Sequence, residues 1–223
     1  MTRNTQYSAV NLIGAARVDP DRWSRLPDDE ALQATIRAIE GCNIRVVLLD
    51  SADQVRDALL ELIPEGAEVM NGSSTTLIEC GYPDLLEENP KGWRDYHAVI
   101  TAENDEEKRH ELRRKAVAAD WFLSSAQAIA GTGEVVGCDR TGTRVGAFPS
   151  AAGHLVLVAG TNKIAPTLDD ALRRCREYAL PLEIQRSQRV YGVPSQIGYV
   201  VIIEQEMIPD RVTLILVREQ LGY

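Results

Sequence analysis

Four stretches of this chain are apolar almost without interruption: "IRVVLLD" (44–50), "HLVLVAG" (154–160), "YVVIIE" (199–204) and "VTLILV" (212–217). A strand with one face in water alternates apolar and polar residues, and these runs do not. They suit strands covered on both faces, the situation of a parallel sheet flanked by helices. The segments between the early runs agree. "DDEALQATIRAIEG" places Ala31, Leu32, Ile36 and Ile39 at helical spacing and stops at Gly41. "SADQVRDALLELI" opens on Ser51 with Gln54 three residues on, a capping-box pattern. "AEVM" follows as a strand and leads into a further helix. Helix, strand, helix, strand, helix in that order predicts an α/β fold with a mostly parallel sheet between helical layers.

The rest of the chain is less regular. "DLLEENPKGWRDYHAVITAEND" is broken by Pro90 and Gly92 and reads as short helical pieces. "DEEKRHELRRKAVAAD" reads as an exposed helix with acids first and bases later, as its dipole favours. "WFLSS" is a strand, and "AIAGTGEVVGCDRTGTRVGAF" a hairpin region with glycine turns. "TLDDALRRCREYAL" is a helix ended by Pro181. The short link "QEMIPDR" between the last two apolar runs predicts an antiparallel C-terminal pair. Residues 1–27 read as an N-terminal arm and residues 28–223 as a single domain.

Charge narrows the partners. The chain of 223 residues carries a formal net charge of −9, and an acidic surface argues against nucleic acid or an anionic membrane as ligand. No apolar run approaches the ~20 residues of a membrane span, and the N-terminus lacks a signal-peptide pattern, so a cytoplasmic location is expected. Cys42, Cys80, Cys138 and Cys175 stand alone, and His97, His110 and His154 have no ligand spacing. No metal, disulfide or cofactor is expected. Lysines number 4 against 20 arginines, a bias that genome base composition explains, and each lysine gains weight by its scarcity.

Three strand ends carry small or polar residues: Asn71, Gly72, Ser73, Ser74 and Thr75 after "EVM", Ser125 and Gln127 after "WFL", and Asn162 and Lys163 after "HLVLVAG". Open α/β sheets bind ligands beyond the carboxyl ends of their strands, so parallel strands would bring these tails to one rim. Four hydroxyls from Ser73 to Thr76 exceed what a helix cap needs, and a helix start offers free N–H donors, so the turn is expected to cradle a small anion. Lys163 would help neutralise it. Arg144 is a candidate carboxylate clamp, beside the turn at Gly142. Glu79 and Asp139 join Lys163 as candidate acid–base groups, against the plainer expectations of an exposed helical glutamate and a turn-forming aspartate. Phosphate-loop, nucleophile-elbow and dinucleotide fingerprints are absent.

The segments "EVMNGSSTTLIECG", "ADWFLSSAQAIAGTGEVVGCDRTGTRVGAF", "VLVAGTNKIAPTLDDALRRCREYALPLE" and "RVTLILVREQLGY" together resemble the LUD domain, the lactate-utilisation protein C-like family, in order from about Asp28 to Tyr223. The resemblance implies a three-layer α/β/α fold similar to the NagB/RpiA/CoA-transferase-like group, whose members bind sugar phosphates, CoA esters or folates. It also implies a link to oxidation of L-lactate alongside iron–sulfur partner subunits. The family's glycine/serine turn maps onto Gly72, Ser73, Ser74 and Thr75, its polar strand end onto Ser125 and Gln127, its glycine–arginine turn onto Gly142 and Arg144, and its "NKI" onto Asn162, Lys163 and Ile164. Many members have Asn at Gln127. Some carry a cysteine cluster before the final strands, where this chain reads "PLEIQRSQRVYGVPSQIG", so a metal or redox-cluster role is not expected. Three functions compete: an accessory subunit holding a small anionic metabolite, an enzyme of sugar-phosphate isomerase, CoA-transferase or ATP-dependent cyclo-ligase type, and a structural interaction protein. The first is preferred, and whether the chain is a homo-oligomer stays open.

Overall fold

The structure, a computed structural model, describes residues 5–223. Two short helices, α1 (Ala9–Ala16) and α2 (Pro20–Trp23), precede α3 (Asp29–Gly41), which Asp28 caps by accepting a hydrogen bond from Ala31 N–H at 2.8 Å. The chain then turns through Asn43, in the left-handed region at φ 58°, into β1 (Arg45–Leu49). Gln54 accepts from Ser51 N–H at 3.1 Å in the expected capping box ahead of α4 (Val55–Leu62). Next come β2 (Glu68–Asn71), α5 (Thr75–Glu79), α6 (Tyr82–Glu88), β3 (Arg94–Asp95), α7 (Tyr96–Ala102) and α8 (Glu106–Ala116). The second half holds β4 (Trp121–Ser124), β5 (Ala128–Ala130), β6 (Val135–Asp139), β7 (His154–Gly160), β8 (Ile164–Ala165), α9 (Leu168–Arg174), α10 (Leu180–Tyr191), β9 (Tyr199–Ile203) and β10 (Val212–Val217).

Six strands form a fully parallel sheet in the order β1-β10-β7-β4-β2-β3. Its central strands bury residues on both faces. From β7 and β10, Leu155, Leu157, Leu214 and Leu216 enter one core, while Val156, Val158, Ile215 and Val217 enter the other. This two-sided burial explains the missing polar alternation, and each such side chain contributes about 1.5–3 kcal/mol. One face is covered by α4, α5 and α6 through Leu59, Leu77 and Leu85. The other is covered by α3, through Leu32, Ile36 and Ile39, and by a second sheet that supplies Ile129, Val135 and Ile203.

That second sheet has the order β8-β5-β6-β9. β5 and β6 form an antiparallel hairpin whose turn needs Gly133: its φ is 113°, and a Cβ there would lie 2.7 Å from the Ala38 carbonyl. The expected antiparallel pair of "YVVIIE" and "VTLILV" does not form. β9 pairs antiparallel with β6, and β10 lies in the other sheet, parallel to β1 and β7. A short link excludes a crossover helix only within one sheet, and this link passes between sheets. It is held by a buried ion pair, Arg211 Nη2 to Glu206 Oε2 at 2.5 Å, with Arg211 also donating to Phe148 O at 2.7 Å.

Pro181 does not end its helix either. α9 runs into a π-helical turn, Cys175–Ala179, and then α10, with Pro181 in the first turn of α10. The wider turn accommodates a ring that would clash with a carbonyl in regular α-helix. α1 and α2 pack on this element, burying Leu12 and Trp23 against Tyr178 and Leu182. Among the described residues no helix is long and apolar enough to cross a membrane.

Candidate functional site

β7, β4 and β2 are neighbours in the parallel sheet, with Asn71 level with Leu123 and Ser124 level with Leu157. Their tails therefore leave at one edge, where a cavity of about 670 Å³ is lined by residues from all three. Asn71, Gly72, Ser73, Ser74 and Thr75 from the first tail, Ser125 and Gln127 from the second, and Lys163 from the third stand on its wall, with Asp139 and Arg144.

The four hydroxyls divide the work. Ser74 Oγ accepts from Leu77 N–H at 3.2 Å and caps α5. Thr76 Oγ1 turns inward to Lys163 Nζ at 2.9 Å. Ser73 and Thr75 remain on the cavity wall. Gly72 is required because the stem of Arg144 crosses it: a Cβ there would lie 2.6 Å from Arg144 Cδ. Arg144 is fixed over this turn by donating to Ser73 O at 3.2 Å and Cys138 O at 2.6 Å.

Asp139 folds the Arg144 loop. Its carboxylate accepts from the backbone N–H groups of Gly142 (2.5 Å), Arg144 (2.9 Å) and Val145 (3.0 Å), which occupies both oxygens. Gly142, at φ 81°, permits the turn but stands off the wall, where Thr141 and Thr143 are found instead. Gln127 Oε1 accepts from Cys138 N–H at 2.8 Å and extends the β5–β6 pairing. Asn162 lies beneath the rim: it donates to Ser24 Oγ at 3.0 Å and accepts from Leu221 N–H at 3.1 Å. It thereby aims the residue that follows it.

That residue, Lys163, is 1 % exposed. Its Nζ meets Ser125 Oγ at 2.8 Å, Thr76 Oγ1 at 2.9 Å and the Ala126 carbonyl at 3.1 Å. Among the described residues it makes no salt bridge. Burial, helped by the guanidinium of Arg174, pushes the amine down to about 7, against a weaker opposing pull from Glu79. Glu79 is buried rather than exposed and lies behind this cluster, off the cavity wall. It accepts from Gly222 N–H at 2.6 Å, and burial raises its carboxyl above the ordinary range.

Several residues of the site carry no local sequence signal. Arg174 is fully buried, donating to Trp23 O at 2.8 Å and to Gln127 O, while its Nη2 has no partner among the described residues. Arg109 and Arg113, one turn apart on a helix expected to face solvent, reach the cavity, as do Arg140 and Arg186. With Arg144 and Lys163 these make six basic side chains on the wall against two carboxylates, Asp139 and Glu183. Glu183 is already engaged by Arg186 at 2.7 Å and by the Tyr223 hydroxyl at 2.7 Å. Among the described residues the buried Oδ1 of Asn71 has no hydrogen-bond partner. Among the described residues no three His, Cys, Asp or Glu side chains are grouped to hold a metal, and the four cysteines are free thiols.

A search of curated proteins finds no match. Among solved structures, the fold is similar to the crystal structure of a DUF162 family protein from Deinococcus radiodurans. Identity is 14%, the alignment covers 86% of this chain and 99% of that one, and the TM-score is 0.50. At that identity the likeness concerns the fold alone. The sequence itself matches the LUD domain family model over residues 32–217, a span that takes in every strand of the parallel sheet and all three polar tails. The chain belongs to the LUD domain family.

Proposed function

We propose that this protein binds a small organic anion, carrying a carboxylate or phosphate, in the cavity at the strand ends, and serves organic-acid (lactate-type) utilisation as an accessory subunit beside iron–sulfur partners. The observation that carries the binding role is the reversal of charge. A chain of net charge −9 gathers six basic side chains and only two carboxylates around one cavity. Glu183 and Arg186 offset one another as an ion pair, which leaves five basic side chains against Asp139, itself engaged by backbone N–H groups. Electrostatic focusing of that kind favours an anion, and the hydroxyls of Ser73 and Thr75, with the N–H groups that Arg144 does not give to Ser73 O and Cys138 O, supply directed donors. The metabolic assignment comes from the family name.

Titration calorimetry with L-lactate, pyruvate, a sugar phosphate and CoA is the test. At least one should bind saturably, and Arg144→Met should weaken that ligand by about 1.5–3 kcal/mol through loss of charge-assisted hydrogen bonds. If every anion binds no better to the wild type than to Arg144→Met, the reading fails. A second reading, an enzyme using the same cavity, is favoured by one observation: Lys163 is held close to neutrality and in contact with a serine hydroxyl.

A further inference from the structure

Lys163 is an expensive way to fill a core. An ammonium removed from water is ordinarily stabilised by a carboxylate, yet its three partners are two hydroxyls and a carbonyl. A second fully buried cation, Arg174, stands behind it, also without a described carboxylate partner. An apolar side chain would fill the same space without that cost. What the lysine adds is an amine whose hydrogen bonds can be satisfied in both protonation states. Charged, it donates to Ser125 Oγ, Thr76 Oγ1 and Ala126 O. Neutral, it donates to Thr76 Oγ1 and Ala126 O and accepts the proton of Ser125.

We propose that Ser125 is a nucleophile with Lys163 as its general base, and that the cavity carries out acyl transfer from an ester or thioester of an anionic acid. The second reading above is the basis of this inference, which gives it a reaction class. Ser125, a primary alcohol at the end of β4, stands on the cavity wall. Thr76, also on the wall and as deeply buried as Ser125, is the poorer nucleophile because its alcohol is secondary. Its place 3.2 Å from Ser125 Oγ and 2.9 Å from Lys163 Nζ makes it a positioning residue for the amine.

In the forward step the Ser125 oxygen bonds to the acyl carbon while its proton passes to Lys163 Nζ. The tetrahedral oxyanion collapses, the bond from the acyl carbon to the leaving oxygen or sulfur breaks, and that atom takes the proton from Lys163. A second alcohol, thiol or water then attacks the acyl-serine. Its proton goes to Lys163, the bond to Ser125 breaks, and the serine recovers its proton. The basic wall of the cavity faces the negative charge that develops. The charged or titratable groups acting on the amine are Arg174 from α9, Arg144 from the loop after β6, and Glu79 with its neighbour Cys80 at the end of α5. Arg174 and Arg144 favour the neutral base.

The test is covalent labelling of the intact purified chain with a fluorophosphonate, read by mass spectrometry of the intact protein and its peptides. This small, neutral probe needs no anion site, so its outcome is separate from calorimetry of anions. One adduct is expected, on Ser125, formed faster as pH rises through about 7, where the amine loses its proton. Ser125→Ala should remove it. Lys163→Met should slow it on the order of 100-fold while staying folded by circular dichroism. Thr76→Ser should keep most of the rate. No adduct on folded wild type at any pH from about 6 to about 10 overturns the proposal, and so does equal labelling in Lys163→Met.

Discussion

The molecule buries basic side chains in two contrasting ways. Arg211, in the link between β9 and β10, is 5 % exposed and lies against Glu206, with the Phe148 and Ala152 carbonyls taking further N–H groups. Lys163, after β7, and Arg174, at the end of α9, are more deeply buried and have no such acid among the described residues. The first arrangement joins two sheets and leaves little electrostatic strain. The second leaves charge uncompensated beside a cavity. The difference separates a cation neutralised within the fold from cations held without a described carboxylate partner.

Removing the acid from the compensated region should have the largest effect. Glu206→Ala leaves Arg211 buried and unpaired and should cost about 3–5 kcal/mol, measured by urea unfolding. At the other region the sign reverses. Lys163→Met removes a buried amine whose desolvation is only partly offset by its three hydrogen bonds and Glu79, so stability at neutral pH should rise by about 1–4 kcal/mol. Its pH signature follows from the amine at about 7 when folded and ~10.4 when unfolded. Across that interval the unfolded chain holds the extra proton, so wild-type stability increases with pH from about 7 to ~10.4. Lys163→Met should flatten that rise, as melting curves across the range would show. Glu206 acts on the acid side. Burial works to raise its carboxyl, but Arg211 and the Ile208 N–H hold it below the ordinary range. Stability from Glu206 is therefore present above the unfolded carboxyl pKa of ~4.3 and lost as pH falls through the lower folded value.

The smallest effect separates hydroxyls within one turn. Ser74→Ala should cost about 1 kcal/mol of stability as a lost helix cap, whereas Ser73→Ala should stay within about 0.5 kcal/mol and weaken anion binding instead. Equal behaviour of the two variants in melting and in calorimetry would merge roles that the geometry keeps apart.

These contrasts also mark how far the sequence could be read. Strands such as β7 and β10 were legible because burial on both faces writes itself as an unbroken apolar run. The convergence of Gly72, Ser125 and Lys163 was legible because parallel strands send their ends to one edge. The partner of β10 was not, since β1 and β7 are remote in sequence and the link from β9 leaves its sheet. Pro181 suggested a stop because the π-helical turn that makes room for it has no composition of its own. Arg174 resembled any helical arginine, and Arg109 and Arg113 any solvated pair. Their places follow from how α8 and α9 pack, which no local pattern records. Asn162, expected to meet a ligand, and Glu79, a candidate acid–base group, lie near the rim with bonds to Ser24, Leu221 and Gly222 that hold the chain.

The titration of Lys163 by nitrogen-15 NMR bears most directly on the site. The chain has only four lysines, Lys91, Lys108, Lys115 and Lys163, so a lysine-labelled sample gives few signals and Lys163→Met assigns the one in question. In the free protein that signal should titrate at about 7, and a bound organic anion should move the midpoint upward by favouring the charged amine. A midpoint at the ordinary lysine value of ~10.4, unchanged by any anion, would contradict both the uncompensated burial of Lys163 and its place in an anion-binding cavity.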